Sequence, residues 1–171
     1  KVIDETNSRY TATFTPTENS TTAGVISVAQ GKFSDDANNL NAESKLELTV
    51  DTVIPVIIKD GITVNQLPGS RTVFNAGETV SINVKFSEPM LVTNLNINNK
   101  IIIAESEFLL DLEKTNAAEG LLVFSYTVVT GDEISAEDFY INNPYEDIDL
   151  NLITDFSGNE PDLSNNATKS E

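Results

Sequence analysis

The sequence predicts an all-β chain made of tandem antiparallel β-sandwich domains. Runs of alternating apolar and polar residues have the period of half-buried strands, and turn-forming Pro, Gly and Asn residues separate these runs. A short pattern also occurs twice. Asp35 follows a small hydroxyl residue and precedes Asn39 by four positions, and Asp155 precedes Asn159 in the same way. Two copies 120 residues apart indicate repeated units and not a single enzyme fold.

Seven segments have the character of strands, because they combine β-branched and aromatic residues with period-two alternation. In chain order they are residues 10–15, 25–28, 46–50, 79–86, 100–103, 121–129 and 148–153. Short strands at this spacing, with turn residues between them, are typical of a β-sandwich. Helix is at most a minor element, and residues 135–139 have room for one helical turn.

A domain boundary is predicted shortly after the strand that ends at Val50. Pro55 lacks a backbone N–H, so it suits the first residues of a new domain. We therefore predict the C-terminal part of one repeat at 1–51, a linker at 52–55 and a second repeat at 56–171. Only 34 residues precede Asp35, whereas Asp155 comes 100 positions after Pro55. We expect the first repeat to lack its front half and the second its last strand, with the open edges capped by another chain or by residues outside this sequence.

The composition excludes several classes of function. There are 27 acidic and 10 basic residues, a formal net charge of -17, which disfavours a nucleic-acid groove or an anionic-membrane patch. The chain has no His and no Cys, which removes Ser-His-Asp triads and the usual zinc ligands. No apolar run is long enough to span a membrane. Paired carboxylates can serve a glycosidase, but these carboxylates lie beside turns in a solvated pattern, so no enzyme is predicted.

Several motifs, taken in order, resemble a known family. Residues 10–17, 34–39 and 48–55 resemble the bacterial Ig-like repeats of large surface adhesins, including biofilm-associated and RTX-type proteins. Residues 76–80, 86–89, 124–132 and 155–159 resemble a related repeat type. The resemblance implies tandem Ig-like domains, the first of them incomplete, that act as a spacer in a secreted or cell-surface adhesin. Its expected partners are neighbouring repeats, with self-association between copies as an alternative.

Acidic residues near strand ends are candidate calcium ligands, because calcium takes six to eight oxygen ligands, mostly from loops. Asp51 stands at the junction, where a metal would hold two domains at a fixed angle. The other candidates are Asp35, Asp36, Asn39, Glu88, Asp132, Asp138, Asp155 and Asn159. The alternative for Asp35 and Asp155 is an Asx-turn in which the side chain caps its own loop. No stretch has EF-hand spacing.

The rival hypothesis is a binding module for a glycan or a protein. Tyr140 and Tyr145 flank a polar turn, and their rings could stack against a sugar. The alternative for both residues is a place in the sandwich core or at one of its corners. Exposure of the two rings would distinguish the two interpretations.

Overall fold

The computed structural model describes residues 2–4, 9–65, 73–93, 99–132, 134, 139 and 148–164. Its contacts divide the chain into a first unit, Lys1–Val53, and a second unit, Ile54–Glu171. This division falls inside the predicted 52–55 linker, while the assignment of each unit as a repeat stays a prediction. Within the described residues, no helix is both long enough and apolar enough to cross a membrane.

The first unit contains two small antiparallel sheets. β1 (Val2–Asp4) pairs with β2 (Arg9–Tyr10), and β3 (Gly24–Val28) pairs with β4 (Ser44–Leu48). Asn41 closes the long connection between β3 and β4. Its Oδ1 accepts the N–H groups of Lys32 and Phe33 at 2.7 and 2.8 Å. The side-chain amide of Asn41 thus makes hydrogen bonds that backbone carbonyl groups would make in a tight hairpin.

The first unit buries little apolar surface. Among residues 11–53, only Gly24 and Val50 are buried. The ring of Phe14 lies over Gly24, where a Cβ would sit 2.6 Å from a ring carbon. On the same face of the hairpin, the side chains of Ile26 and Leu46 are 41% and 56% exposed. Two-stranded sheets of this kind are marginally stable alone.

The predicted strand at 10–15 is wrong beyond Tyr10. β2 ends there, and residues 11–17 pair with no strand in the described part of the chain. The alternation of Thr with larger residues marks a segment suited to a strand. A strand also needs a neighbour, and the described residues supply none along this segment.

The second unit is built on one six-stranded antiparallel sheet. The strands of the whole unit are β5 (Ile57–Val64), β6 (Thr79–Phe86), β7 (Leu91–Val92), β8 (Lys100–Ile103), β9 (Ser106–Leu110), β10 (Leu121–Thr127), β11 (Ile148–Asp149) and β12 (Ile153–Thr154). The sheet has the order β11-β8-β9-β10-β6-β5, and β12 pairs with β7 in a second, two-stranded sheet. In addition, Val56 forms an isolated parallel bridge with Asp162. The all-β class predicted from the sequence is confirmed, in agreement with an Ig-like β-sandwich.

The core of the second unit lies on one face of the central strands. Phe124 of β10 stands opposite Ile82 of β6, and Leu122 stands opposite Val84; all four are fully buried. Aromatic side chains extend this core, because Phe108 packs against Tyr126 with ring centroids 5.3 Å apart. At about 25 cal/mol per Å² of apolar surface, such burial is the main stabilising contribution in this unit.

Several predicted elements differ from the structure. The segment 148–153 is two short strands, since Leu152 has a left-handed backbone (φ 56°) in the turn between β11 and β12. β5, β7 and β9 were not predicted. Residues 135–138 lie outside the described residues, so the predicted helical turn there stays a prediction. In the described residues, Ala117–Glu119 form a 3-10 helix, and Phe139, the last residue of the predicted turn, is also 3-10 helical.

Candidate functional site

The repeated sequence pattern forms the same turn in both units. In the first unit, Oδ1 of Asp35 accepts the backbone N–H groups of Ala37 and Asn39, both at 2.9 Å. Its Oδ2 accepts the side-chain amide of Asn39 at 2.9 Å, and its own N–H donates to the carbonyl of Asn39 at 3.1 Å. Asn38 supplies the left-handed residue (φ 63°) that closes the turn.

In the second unit, Asp155 makes the same set of hydrogen bonds. Its Oδ1 accepts the N–H groups of Ser157 and Asn159 at 2.7 and 2.8 Å, and its Oδ2 accepts the Asn159 side-chain amide at 2.7 Å. Gly158 takes the left-handed position (φ 92°). Both aspartates therefore cap their own loops, as the Asx-turn interpretation predicts.

The two turns differ in burial and in what this does to the carboxyl group. Asp35 is exposed, and the side-chain amide of Asn39 lowers its pKa below the ordinary value. Asp155 is 2% exposed. Burial acts to raise the pKa of Asp155, but the hydrogen bonds from Asn159 and Ser157 outweigh it, so the pKa is lowered. Both groups are carboxylates at neutral pH.

Glu88 brings a second carboxylate to Asp155. Carboxylate oxygens of Glu88 and Asp155 lie within 4.8 Å of each other. Glu88 follows β6, where Gly120 contacts its backbone closely: a Cβ on Gly120 would lie 2.2 Å from the carbonyl oxygen of Glu88. Gly120 also has a left-handed backbone (φ 68°), so the close contact depends on glycine. Paired oxygens from two loops are suitable ligands for a hard cation such as calcium.

The other predicted ligands are placed differently. Asp51 is half-buried in the first unit, where its Oδ1 accepts the N–H of Val53 at 3.1 Å. Asp36 is exposed beside the Asp35 turn. Asp138, Tyr140 and Tyr145 lie outside the described residues, so their predicted roles stay predictions.

Asp132 closes the turn that follows β10. Its Oδ2 accepts the hydroxyl of Tyr126 and the N–H of Val129, both at 2.8 Å. This hydrogen bond from the neutral phenol to the carboxylate raises the pKa of Tyr126. Beside the turn is a cavity of about 720 Å³, whose lining includes Glu105, Glu107, Tyr126 and Asp132. Polar groups that converge on a cavity can hold a ligand by hydrogen bonds.

A polar cluster that was not predicted lies on the outer face of the six-stranded sheet. Nζ of Lys114 lies 2.9 Å from Oδ2 of Asp111 and 3.0 Å from Oγ of Ser125. Ser125 donates to Asp111 at 2.8 Å, and Ser81 lies 3.0 Å from Ser125. Lys114 and Ser125 lower the pKa of Asp111 by hydrogen bonding. These contacts hold the turn that carries Asp111 and Lys114 against the sheet.

The alternation of small polar residues on β6 and β10 is the signal that could have revealed this cluster. Ser81 and Ser125 stand opposite each other on the face that does not contribute to the core. Such pairs indicate an outer sheet face with cross-strand hydrogen bonds. Lys114 and Asp111 lie in an irregular turn, which a period-two pattern cannot place.

The comparison with protein families gives a match over the first part of the chain. Residues 2–52 match the bacterial Ig-like domain family. This segment is thus similar to a bacterial Ig-like domain. Such domains commonly occur in surface proteins and are typically non-enzymatic. Neither the curated proteins nor the solved structures give a match.

Proposed function

We propose that this chain is a structural spacer segment of a secreted or cell-surface bacterial adhesin, and that it acts outside the cell. The observation that carries the proposal is the repeated turn. Asp35 and Asp155 make the same hydrogen bonds in two separate units, which is the expected result of tandem duplication. The family match at residues 2–52 supports the class of repeat.

The proposed role is mechanical. β6 is paired with β10 over seven consecutive residue pairs and with β5 on its other side, so extending the second unit requires many hydrogen bonds to break together. The net charge of -17 adds a repulsion that disfavours collapse of an array of such units.

Single-molecule stretching of the chain, held at its two ends, tests this role. We expect a cooperative rupture from the second unit, whereas the first unit, with little buried surface, should extend at lower force. A chain that lengthens smoothly, with no rupture event, would rule out the spacer role.

Calcium is the proposed rigidifying ion. In the second unit, Glu88 and Asp155 supply carboxylate oxygens from two loops, and bound calcium would relieve their mutual repulsion. Asp51 is included as a candidate calcium ligand because of its position in the sequence at the predicted junction. Two carboxylates are fewer ligands than calcium needs, so backbone carbonyls and water would supply the remainder.

Thermal unfolding with excess EDTA and with calcium, at fixed ionic strength, tests this proposal. At a hundredfold excess of calcium over Kd we expect about 2.7 kcal/mol of stabilisation, which is several degrees in Tm. Glu88→Gln should remove most of this shift, and Asp51→Asn tests the junction ligand separately. Glu160→Gln is the matched control, since it removes one charge from an exposed side chain. If calcium raised the Tm of the Glu88 and Glu160 variants by the same amount, calcium would be acting through general charge screening.

The second candidate function is glycan binding by the second unit. The cavity beside Asp132 supports it, because its carboxylates and its phenol are groups that hydrogen-bond sugar hydroxyls. A glycan array with the wild-type chain and the Glu105→Gln variant would test it, with Glu113→Gln as the control outside the cavity lining. Binding that is lost only in the Glu105 variant would favour this function over the spacer role.

A further inference from the structure

The first unit contains a strand-like segment without a ladder. Residues 11–17 run without a turn or a bend. Among the described residues, no backbone hydrogen bond involves Ala12, Thr13, Phe14 or Thr15. A row of open N–H and C=O groups of this kind is a template for pairing with another strand.

The two edges of this segment are not equivalent. Along a strand, the N–H groups of alternate residues point to opposite edges. Thr13 and Thr15 therefore present their donors on one edge, which we call the threonine edge. The donors of Ala12 and Phe14 point to the other edge, where Pro16 interrupts the row because it has no N–H. The threonine edge therefore offers the donors of Thr13 and Thr15, and it ends at Thr17, whose carbonyl accepts the hydroxyl of Thr52 at 2.6 Å.

The stretch of sequence that contains this edge is almost free of charge. Residues 10–31 contain a single charged residue, Glu18, in a chain with a net charge of -17. Soluble proteins usually protect an open edge with charged side chains, and the threonine edge has none. Depletion of charge is also a property of the centre of protein interfaces. Two copies of this acidic chain repel each other least where their contact surface carries no charge.

We propose that the threonine edge pairs with the same edge of a second copy, in antiparallel orientation. With a two-fold axis at Phe14, Thr13 of one copy faces Thr15 of the other, and the two residues exchange both N–H···O=C bonds. The symmetry produces the same pair a second time, so the contact is self-complementary. Phe14 meets Phe14 as a pair without hydrogen bonds, the position in which opposing side chains approach most closely. The exposed side chains of Ile26 and Leu46 lie on the same hairpin face that Phe14 contacts at Gly24.

Sedimentation equilibrium on the intact chain, from micromolar to millimolar concentration, tests the proposal. We expect a monomer–dimer equilibrium that Thr13→Pro weakens at least about tenfold, because each dimer loses two hydrogen bonds. Ala12→Pro is the matched control. It introduces the same ring one residue away and removes a donor from the opposite edge only, so the dimer should be kept. NMR signals of the β3–β4 hairpin serve as the check that both variants fold.

Hydrogen exchange at single residues gives an independent test. At concentrations where the dimer forms, the amides of Thr13 and Thr15 should become protected, whereas those of Ala12 and Phe14 should exchange as in an open chain. A chain that stays monomeric throughout contradicts the proposal. So does an equal weakening by the two proline substitutions, which would indicate association through the apolar face without a shared ladder.

Discussion

The two units share one turn and differ in what supports it. In the first unit, Asp35 closes an exposed loop above a two-stranded sheet with little buried surface. In the second, Asp155 closes the same loop at a buried position beside Glu88. The local hydrogen bonds are nearly identical, so they do not explain any difference in stability between the units. Packing beneath the turn must supply that difference, and paired substitutions in the two units can measure it.

The largest expected effect is in the core. Phe124→Ala removes a fully buried ring of the second unit and should cost about 3–5 kcal/mol. Ile26→Ala, at a 41% exposed position of the first unit, should cost less than about 1 kcal/mol. Urea unfolding of the intact chain, followed by NMR signals of each unit, measures both. Equal costs would mean that the hairpin face of the first unit is covered in solution.

Glycine positions give the next effect. Gly120→Ala adds a Cβ that would lie 2.2 Å from the Glu88 carbonyl oxygen at a left-handed residue, and we expect a cost of about 2–4 kcal/mol. Gly31 is also left-handed (φ 73°), but its nearest neighbour would lie 3.7 Å away. Gly31→Ala should therefore cost only the backbone strain, about 1–2 kcal/mol. The same urea unfolding experiment compares the two substitutions. A similar free-energy cost at both sites would show that the loop containing Glu88 moves readily to accommodate the added Cβ.

The turn aspartates give the smallest effect. Asp155→Ala should cost about 1–3 kcal/mol, because the partly buried hydrogen bonds from Ser157 and Asn159 lose their charged acceptor. Asp35→Ala should cost less, because the corresponding hydrogen bonds are exposed to water. The folded-state pKa of each carboxyl is lowered, so each contributes stability above its unfolded pKa and loses it as the pH falls below about 4. A pH series of unfolding should be flatter for Asp155→Ala than for the wild type. An unchanged slope would contradict the role assigned to this carboxylate.

Two continuous strands of the second unit were predictable from the sequence, whereas the alternating segment 10–15 forms no strand beyond Tyr10 and interrupted strands were missed. β6 and β8 match their predicted bounds. β5 was missed because Asp60 and Gly61 interrupt its pattern with residues that usually mark a turn. Asp60 has a left-handed backbone (φ 57°), and the pairing of β5 with β6 is irregular at this point. β9 was missed because the turn before it, at Ala104 and Glu105, has positive φ at both residues without a glycine.

The candidate site was predictable only in part. The Asp35 and Asp155 turns follow from local residue order, since every hydrogen bond in them spans four residues or fewer. The approach of Glu88 to Asp155 joins two residues distant in sequence, and it depends on the fold. The Lys114 cluster depends in the same way on the register of β6 and β10. Residue types reveal local caps, whereas contacts between strands require the topology.

The parallel bridge between Val56 and Asp162 relates the chain direction at the start of the second unit to the direction near its end. Asp162 also donates its N–H to the carbonyl of Pro55 at 2.8 Å, so the first and last described segments of the second unit run side by side with the same heading. In the proposed spacer role, this shared direction would let copies of the unit follow one another without a reversal of the chain at this point.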